Sequence, residues 1–446
     1  MRDLLRTEVH RKRLGACLFL GLVLALITGT TGNANHPLHA ARESLIATRV
    51  IWYLLVGVGL WVAWTLTSGP GAGRVAAVRA VVTRTVVPVT RSRARYGGYL
   101  ALLVIAVFVP RMLPASSAYL QQTLFSGAAI YALLALGLNV VVGYAGLLDL
   151  GFIAFYAIGA YVTAYLVYTG KELHAHRTPI PWHAPFHLNG FFVLPIAAAA
   201  AALAGVILGG PTLRLRGDYL AIVTLGFGEI VQLLANNANG ITNGSQGAFG
   251  VPPLRVHLLG IHYTWGLDPL PEYYLLLGII VVVMMAFSRL ERSRTGRAWA
   301  AIREDEIAAA ASGVPTTRYK LLAFAIGAST SGFAGVIFAT YQFFNPQSFS
   351  FQESILVLTI VIFGGMGSIF GAVVGATLLQ VLTSYLQHAN VVPAEDSPIF
   401  FGAIVMMMMV FRPQGLIPSR RRSREIRLAE AGVGGADALG AAEGVS

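Results

Sequence analysis

Residues 353–387 read ESILVLTIVIFGGMGSIFGAVVGATLLQVLTSYLQ. After Glu353 the stretch carries no charge at all, and a bilayer crossing needs only about 20 helical residues. It reads either as one long helix or as two short ones parted at Gly364-Gly365-Met366-Gly367. The choice decides on which side of a membrane the chain ends, so the rest of the sequence must arbitrate.

Working outward, apolar runs fall at about 14–30, 48–66, 98–113, 118–142, 147–169, 190–210, 218–236, 273–288, 319–344, 353–366, 368–387 and 397–411. If the N-terminus is inside and every run crosses once, 26 of the 32 Lys and Arg fall on the inner side. The other six are Arg42, Arg49, Arg111, Lys171, Arg177 and Arg255. Basic residues resist translocation, so this bias supports two cytoplasmic termini. A single helix over 353–387 would put the Arg-rich tail outside. The sequence therefore predicts a break at the glycines.

Composition agrees. The 446 residues are 56% hydrophobic and 12% charged, roughly half the charge of a soluble domain. Such a chain must face lipid. The predicted fold is an all-α membrane protein, a polytopic bundle of about ten core transmembrane segments after two N-terminal ones. Residues 1–97 form an extension with two segments and a basic connector. Residues 98–412 form the main membrane domain. Residues 413–446 form a basic and then Ala/Gly-rich cytoplasmic tail. The first run, preceded by Arg11-Lys12-Arg13, reads as a retained anchor in preference to a cleaved signal peptide.

Several classes are excluded. A lone Cys17 permits neither an intrachain disulfide nor a cysteine metal cluster. His174, His176, His183 and His187 do not follow a zinc spacing, so no metal is assigned. The net charge of +12 flanks apolar runs and marks topology and lipid surface, not nucleic acid. No polar catalytic cluster falls at one depth, and the chain reads as a non-enzyme. No phosphate-binding loop motif is present, so it has no evident means of holding ATP.

The informative polar stretch is 289–318, RLERSRTGRAWAAIREDEIAAAASGVPTTR. Ala298–Ser312 is predicted as one surface helix, preceded by Gly296 and stopped by Gly313 and Pro315. Glu304, Asp305 and Glu306 form an acidic patch beside Arg297 and Arg303. This is either a solvated loop helix or a docking lever. Gly367, Gly371 and Gly375 recur every four residues and share a helical face, which suits close packing in lipid. Gly364 and Gly365 also suit a broken helix lining a pathway. Two carboxylates lie within apolar runs, where charge is costly. Glu229 is mid-run, placed to contact a substrate ammonium, to gate a pathway, or to bond a neighbouring helix. Asp149 is expected near the inner interface.

Four segments together resemble the LivM-type permeases of branched-chain amino-acid ABC importers. They are GYAGLLDLGFIAFYAIGAYVTAYL at 143–166, LRLRGDYLAIVTLGFGEIVQLLANN at 213–237, TGRAWAAIREDEIAAAASGVPTTRYKLLAFAIGA within the loop region, and VIFGGMGSIFGAVVGA at 361–376. The resemblance covers roughly 118–412. It implies a second related permease subunit, two cytoplasmic ATPase subunits that bind ATP and Mg, and an extracytoplasmic solute-binding protein, in a bacterial inner membrane. It also implies that the helix around 298–313 docks on an ATPase, with Arg303, Glu304, Asp305 and Glu306 as contacts. The solute is expected to be Leu, Ile or Val. Urea or a short amide is the alternative, and an ion-coupled secondary transporter a more distant one.

Overall fold

The structure, a computed structural model, describes residues 127–167, 190–212, 218–248, 251–258, 261–264, 269–388 and 415–417, with single positions 106, 402 and 406. The chain divides into two compact units, residues 1–120 with 381–400 and residues 121–380 with 401–446. The second holds nearly all of the described residues. The expected spans at 14–30, 48–66, 98–113 and 397–411, the histidine-bearing loop at 170–189 and the distal tail lie outside them.

The fold is helical. α1 (Ala129–Leu138) runs on through a π-helical turn, Asn139–Tyr144. α2 spans Ile153–Val167, α3 Gly190–Thr212 and α4 Asp218–Asn237. α5 (Pro269–Arg292) leads into two short helices, α6 (Arg294–Glu304) and α7 (Glu306–Ala311). α8 covers Thr316–Tyr341, α9 Phe351–Gly364 and α10 Ile369–His388. Five stretches among the described residues are long and apolar enough to cross a membrane.

α8 is the central post. Its 26 residues make about 39 Å of helix, more than the roughly 30 Å of hydrocarbon. It packs on α1, α2 and α3. Close approach is built from absent side chains: a Cβ on Gly335 would lie 2.5 Å from Tyr156 O, and one on Gly332 would lie 2.8 Å from Ala197 O. At one end of this post, Tyr156, Tyr161, Phe338, Phe344 and Phe349 form an aromatic cluster with ring centroids 5.1–6.1 Å apart. There the Ala248 N–H donates to Phe344 O, tying down the segment after α4.

The structure bears out the break in 353–387. α9 stops at Gly364 and α10 starts at Ile369. Gly365 (φ 117°) and Gly367 (φ 78°) occupy backbone conformations closed to most L-residues. α9 and α10 then fold back on each other, with Gly364 against Gly371 and with Gly375 2.8 Å from Gly364 Cα when given a Cβ. Gly367 belongs to the turn and not to the packed helical face expected of it.

Two expectations are revised. The run 147–169 is not helical from its start, because α2 begins only at Ile153. Residues 145–152 are mostly non-helical, and side chains serve their backbone: Leu150 N–H donates to Thr224 Oγ1, Gly151 N–H to Asp149 Oδ1, and Ile153 N–H to Ser354 Oγ. Non-helical backbone at membrane depth survives only with such internal partners. The loop helix is also two helices. Asp305 is extended (φ −153°, ψ 113°) and caps α7 by accepting from Ile307 N and Ala308 N, as Asp at an N-cap does. The loop after α4 contains a two-stranded antiparallel hairpin. β1 (Arg255–Leu258) pairs with β2 (Ile261–Thr264), Arg255 opposite Thr264.

Candidate functional site

The site is the end of the bundle where α6 and α7 meet the two backbone breaks. α6 starts earlier than expected: Ser293 is its N-cap, accepting from Gly296 N, so Gly296 lies inside the first turn. α7 ends in a Schellman motif. Gly313 N–H reaches Ala310 O and Val314 N–H reaches Ala309 O, with Gly313 at φ 82°.

α6 is bolted to the bundle by Trp299. The indole is fully buried, its N–H donates to Tyr319 O at 2.7 Å, and its ring stacks on Tyr144. One helical turn on, the Arg303 guanidinium donates to Gly143 O, and its aliphatic stem lies over Gly146. Gly143 is in the π-helical turn that ends α1. The same turn carries Asn139, whose Oδ1 accepts the Gly367 N–H at 2.8 Å. A continuous line of contacts therefore runs from α6, through the π-helical turn, to the glycine break. Residues 415–417 close the far side: Leu416 N–H and Ile417 N–H donate to Phe363 O and Gly364 O, the last carbonyls of α9.

The structure separates the residues that sequence grouped on the loop. Arg303 faces the bundle. Asp305 is used as a cap. Glu306 forms an ion pair with the buried Lys320 of α8. Glu304 is exposed, as is Arg297, whose guanidinium donates to Arg292 O. On the outer side Arg294, Arg297, Ala301, Gly313, Pro315 and Tyr319 line a cavity of about 390 Å³. Its lining sets two arginines among small, apolar and aromatic residues.

The two membrane carboxylates differ. Asp149 is 1% exposed, packed within the non-helical 145–152 stretch against α4. Glu229 is exposed on α4, and the structure does not bring it near Asp149 or the glycine break. Sequence reasoning missed Asn139, Trp299, Lys320, and a half-buried hydrogen bond from Tyr131 OH to Glu353. A polar Asn inside LALGLNVVVG was a readable signal, since amides at that depth need a partner.

The comparisons fit this architecture. The family model described as "Branched-chain amino acid transport system / permease component" matches residues 122–411. The chain is 41% identical over 354 residues to the high-affinity branched-chain amino acid transport system permease protein LivM of Salmonella typhimurium, covering 74% of this chain and 77% of that protein. It is 41% identical to LivM of Escherichia coli K12, covering 73% and 76%. It is 26% identical to the LivH permease protein of Salmonella typhimurium, covering 67% and 96%. No solved structure matches the chain. A helical bundle with two backbone breaks wired to a charged loop, matched over most of its length by these proteins, belongs to the branched-chain amino acid permease family.

Proposed function

We propose that this chain moves branched-chain amino acids inward across a bacterial cytoplasmic membrane as one permease subunit of an ATP-driven importer. ATP and its Mg are held by two separate cytoplasmic subunits, since this sequence carries no phosphate loop. An external binding protein delivers the solute, and a second related permease completes the pathway. No covalent chemistry takes place in this chain. Both termini are cytoplasmic, and the site end of the bundle faces the ATPases, because the loop 289–320 alone holds seven of the 32 basic residues.

The observation that carries this reading is the contact line Arg303–Gly143–Asn139–Gly367. Helices transmit displacement as rigid bodies, and glycine breaks absorb it as changes in backbone angle. Closure of the ATPases pushes α6. Trp299 and Arg303 carry the push to the π-helical turn. Asn139 carries it to Gly365–Gly367, where α9 and α10 can re-orient. The docking contacts on this reading are Arg294, Arg297 and Glu304, which point outward. Arg303, Asp305 and Glu306 hold the lever together.

Uptake of labelled leucine, urea and acetamide in cells lacking the gene, with and without the cloned chain, tests the solute. Rescue of leucine alone is expected, and rescue of urea or acetamide instead would replace the substrate. Joint reversal of Arg294 and Arg297 to Glu tests docking. It is expected to abolish uptake and ATPase stimulation with normal membrane accumulation. Unchanged stimulation would remove α6 as the docking element.

A further inference from the structure

Three long helices of the bundle leave an apolar face uncovered. α3 exposes Leu203 (61%) and Ile207 (66%), and α5 exposes Val282 (60%) and Met285 (54%). No charged residue occurs in α3, and those of α5 sit only in its terminal turns, at Glu272, Arg289, Glu291 and Arg292. Both faces suit lipid. α4 differs. Its outward stripe is Tyr219, Ile222, Gly226, Glu229 and Leu233, all exposed except the half-buried Gly226, at a 3-4-3-4 spacing along one helical face. Its opposite face, Ala221, Thr224 and Gly228, is against the 145–152 stretch. Glu229 stands about 16 Å from the start of α4 and about 12 Å from its end. A carboxylate at that depth is costly in hydrocarbon and is placed against protein or water. A Cβ added at Gly226, one turn away, meets nothing within 4 Å in this chain. The stripe therefore has an acid that lipid disfavours and an open notch beside it.

We infer that α4 is the face on which a second permease chain of the same family packs, covering the Tyr219–Leu233 stripe and keeping Glu229 out of lipid. The identity of the partner rests on the importer reading, in which two related permeases stand side by side. The matched relatives include two different chains, LivM and LivH, both named as permeases of a high-affinity branched-chain system in Salmonella typhimurium. The packing itself rests on α4 alone.

The test uses the assembled transporter in native membranes, in a C17S background. Single cysteines at Ile222 and Leu233 on α4, Ile207 on α3 and Val282 on α5 take a nitroxide label, and collisional access to oxygen is read. All four sites are exposed, so the substitutions leave the core intact. Loss of oxygen access at 222 and 233, with access kept at 207 and 282, is expected. A benzophenone at Leu233 is expected to cross-link to a chain whose peptides identify it as a different member of the permease family. Equal oxygen access at all four sites would overturn the inference. So would a cross-link to lipid, to other segments of this chain, or to a second copy of it. Rescue of urea uptake instead of leucine uptake would overturn the substrate and leave the cross-link unchanged, so the two readings fail separately.

Discussion

α8 and α4 are both glycine-containing membrane helices, yet they use glycine oppositely. In α8 the glycines are points of contact: a Cβ on Gly332 or Gly335 would collide with a neighbouring backbone, and one on Gly327 with the Val141 side chain. Fourteen residues of α8 are buried, Lys320 and Ser331 among them. In α4, Gly226 has open space beside it and the stripe around it is exposed. Lipid tails offer no hydrophobic drive for helices to associate, so close backbone packing must supply it. α8 has found that packing within the chain. α4 presents the same small-residue device with no described partner across it.

The largest expected effect lies on the α8 side. In Gly335→Leu the Cβ meets Tyr156 O at 2.5 Å and Ala160 N at 2.7 Å, both backbone atoms that cannot step aside. Overpacking of this kind costs about 3 kcal/mol or more. The variant is expected to fail to accumulate in the membrane, read by fluorescence-detected size exclusion. Normal accumulation would mean that α2 and α8 are not in backbone contact there.

A smaller effect is expected at Asn139, where α1 meets the glycine break. Asn139→Leu keeps the branching at Cγ but leaves the buried Gly367 N–H without its acceptor. An orphaned buried donor costs about 1–3 kcal/mol. A lowered melting temperature in detergent is expected, together with a fall in leucine uptake larger than the fall in protein level. Uptake that merely tracks protein level would confine Asn139 to a packing role and cut the contact line from α6.

How far sequence could reach is visible in these same elements. The glycine break was legible because the count of basic residues on each side admits only one parity of crossings. The family was legible because four motifs stand in order. The division of labour in RAWAAIREDE was not. Periodicity places Arg303 and Glu304 side by side, but which one faces the bundle depends on where Gly143 and Tyr144 arrive, some 160 residues earlier. The helix break at Asp305 was hidden for a related reason: Ala-rich sequence on both sides favours a continuous helix, and only the cap geometry shows Asp ending one and starting the next. The setting of Asp149 was hidden because a helix was assumed through 147–152, where side chains from α4 and α9 instead satisfy the backbone.

The smallest effect sharpens the comparison most. Gly226→Ala adds one methyl group where this chain has nothing within 4 Å. In the isolated chain the change should be neutral within about 0.5 kcal/mol, as surface substitutions usually are, or slightly stabilising through the better helix propensity of Ala. If the stripe faces lipid, the assembled transporter should behave the same way, since acyl chains adapt to a methyl. If a second helix closes over Gly226, that methyl holds the two backbones apart, and the loss should appear only in the assembly: unchanged melting of the purified chain, but earlier dissociation of the two permeases on heating in detergent. The contrast with Gly335 then becomes quantitative. In α8 a new Cβ is punished within the chain. In α4 it is punished only between chains, and identical behaviour of Gly226→Ala and the parent in both preparations would assign α4 to lipid.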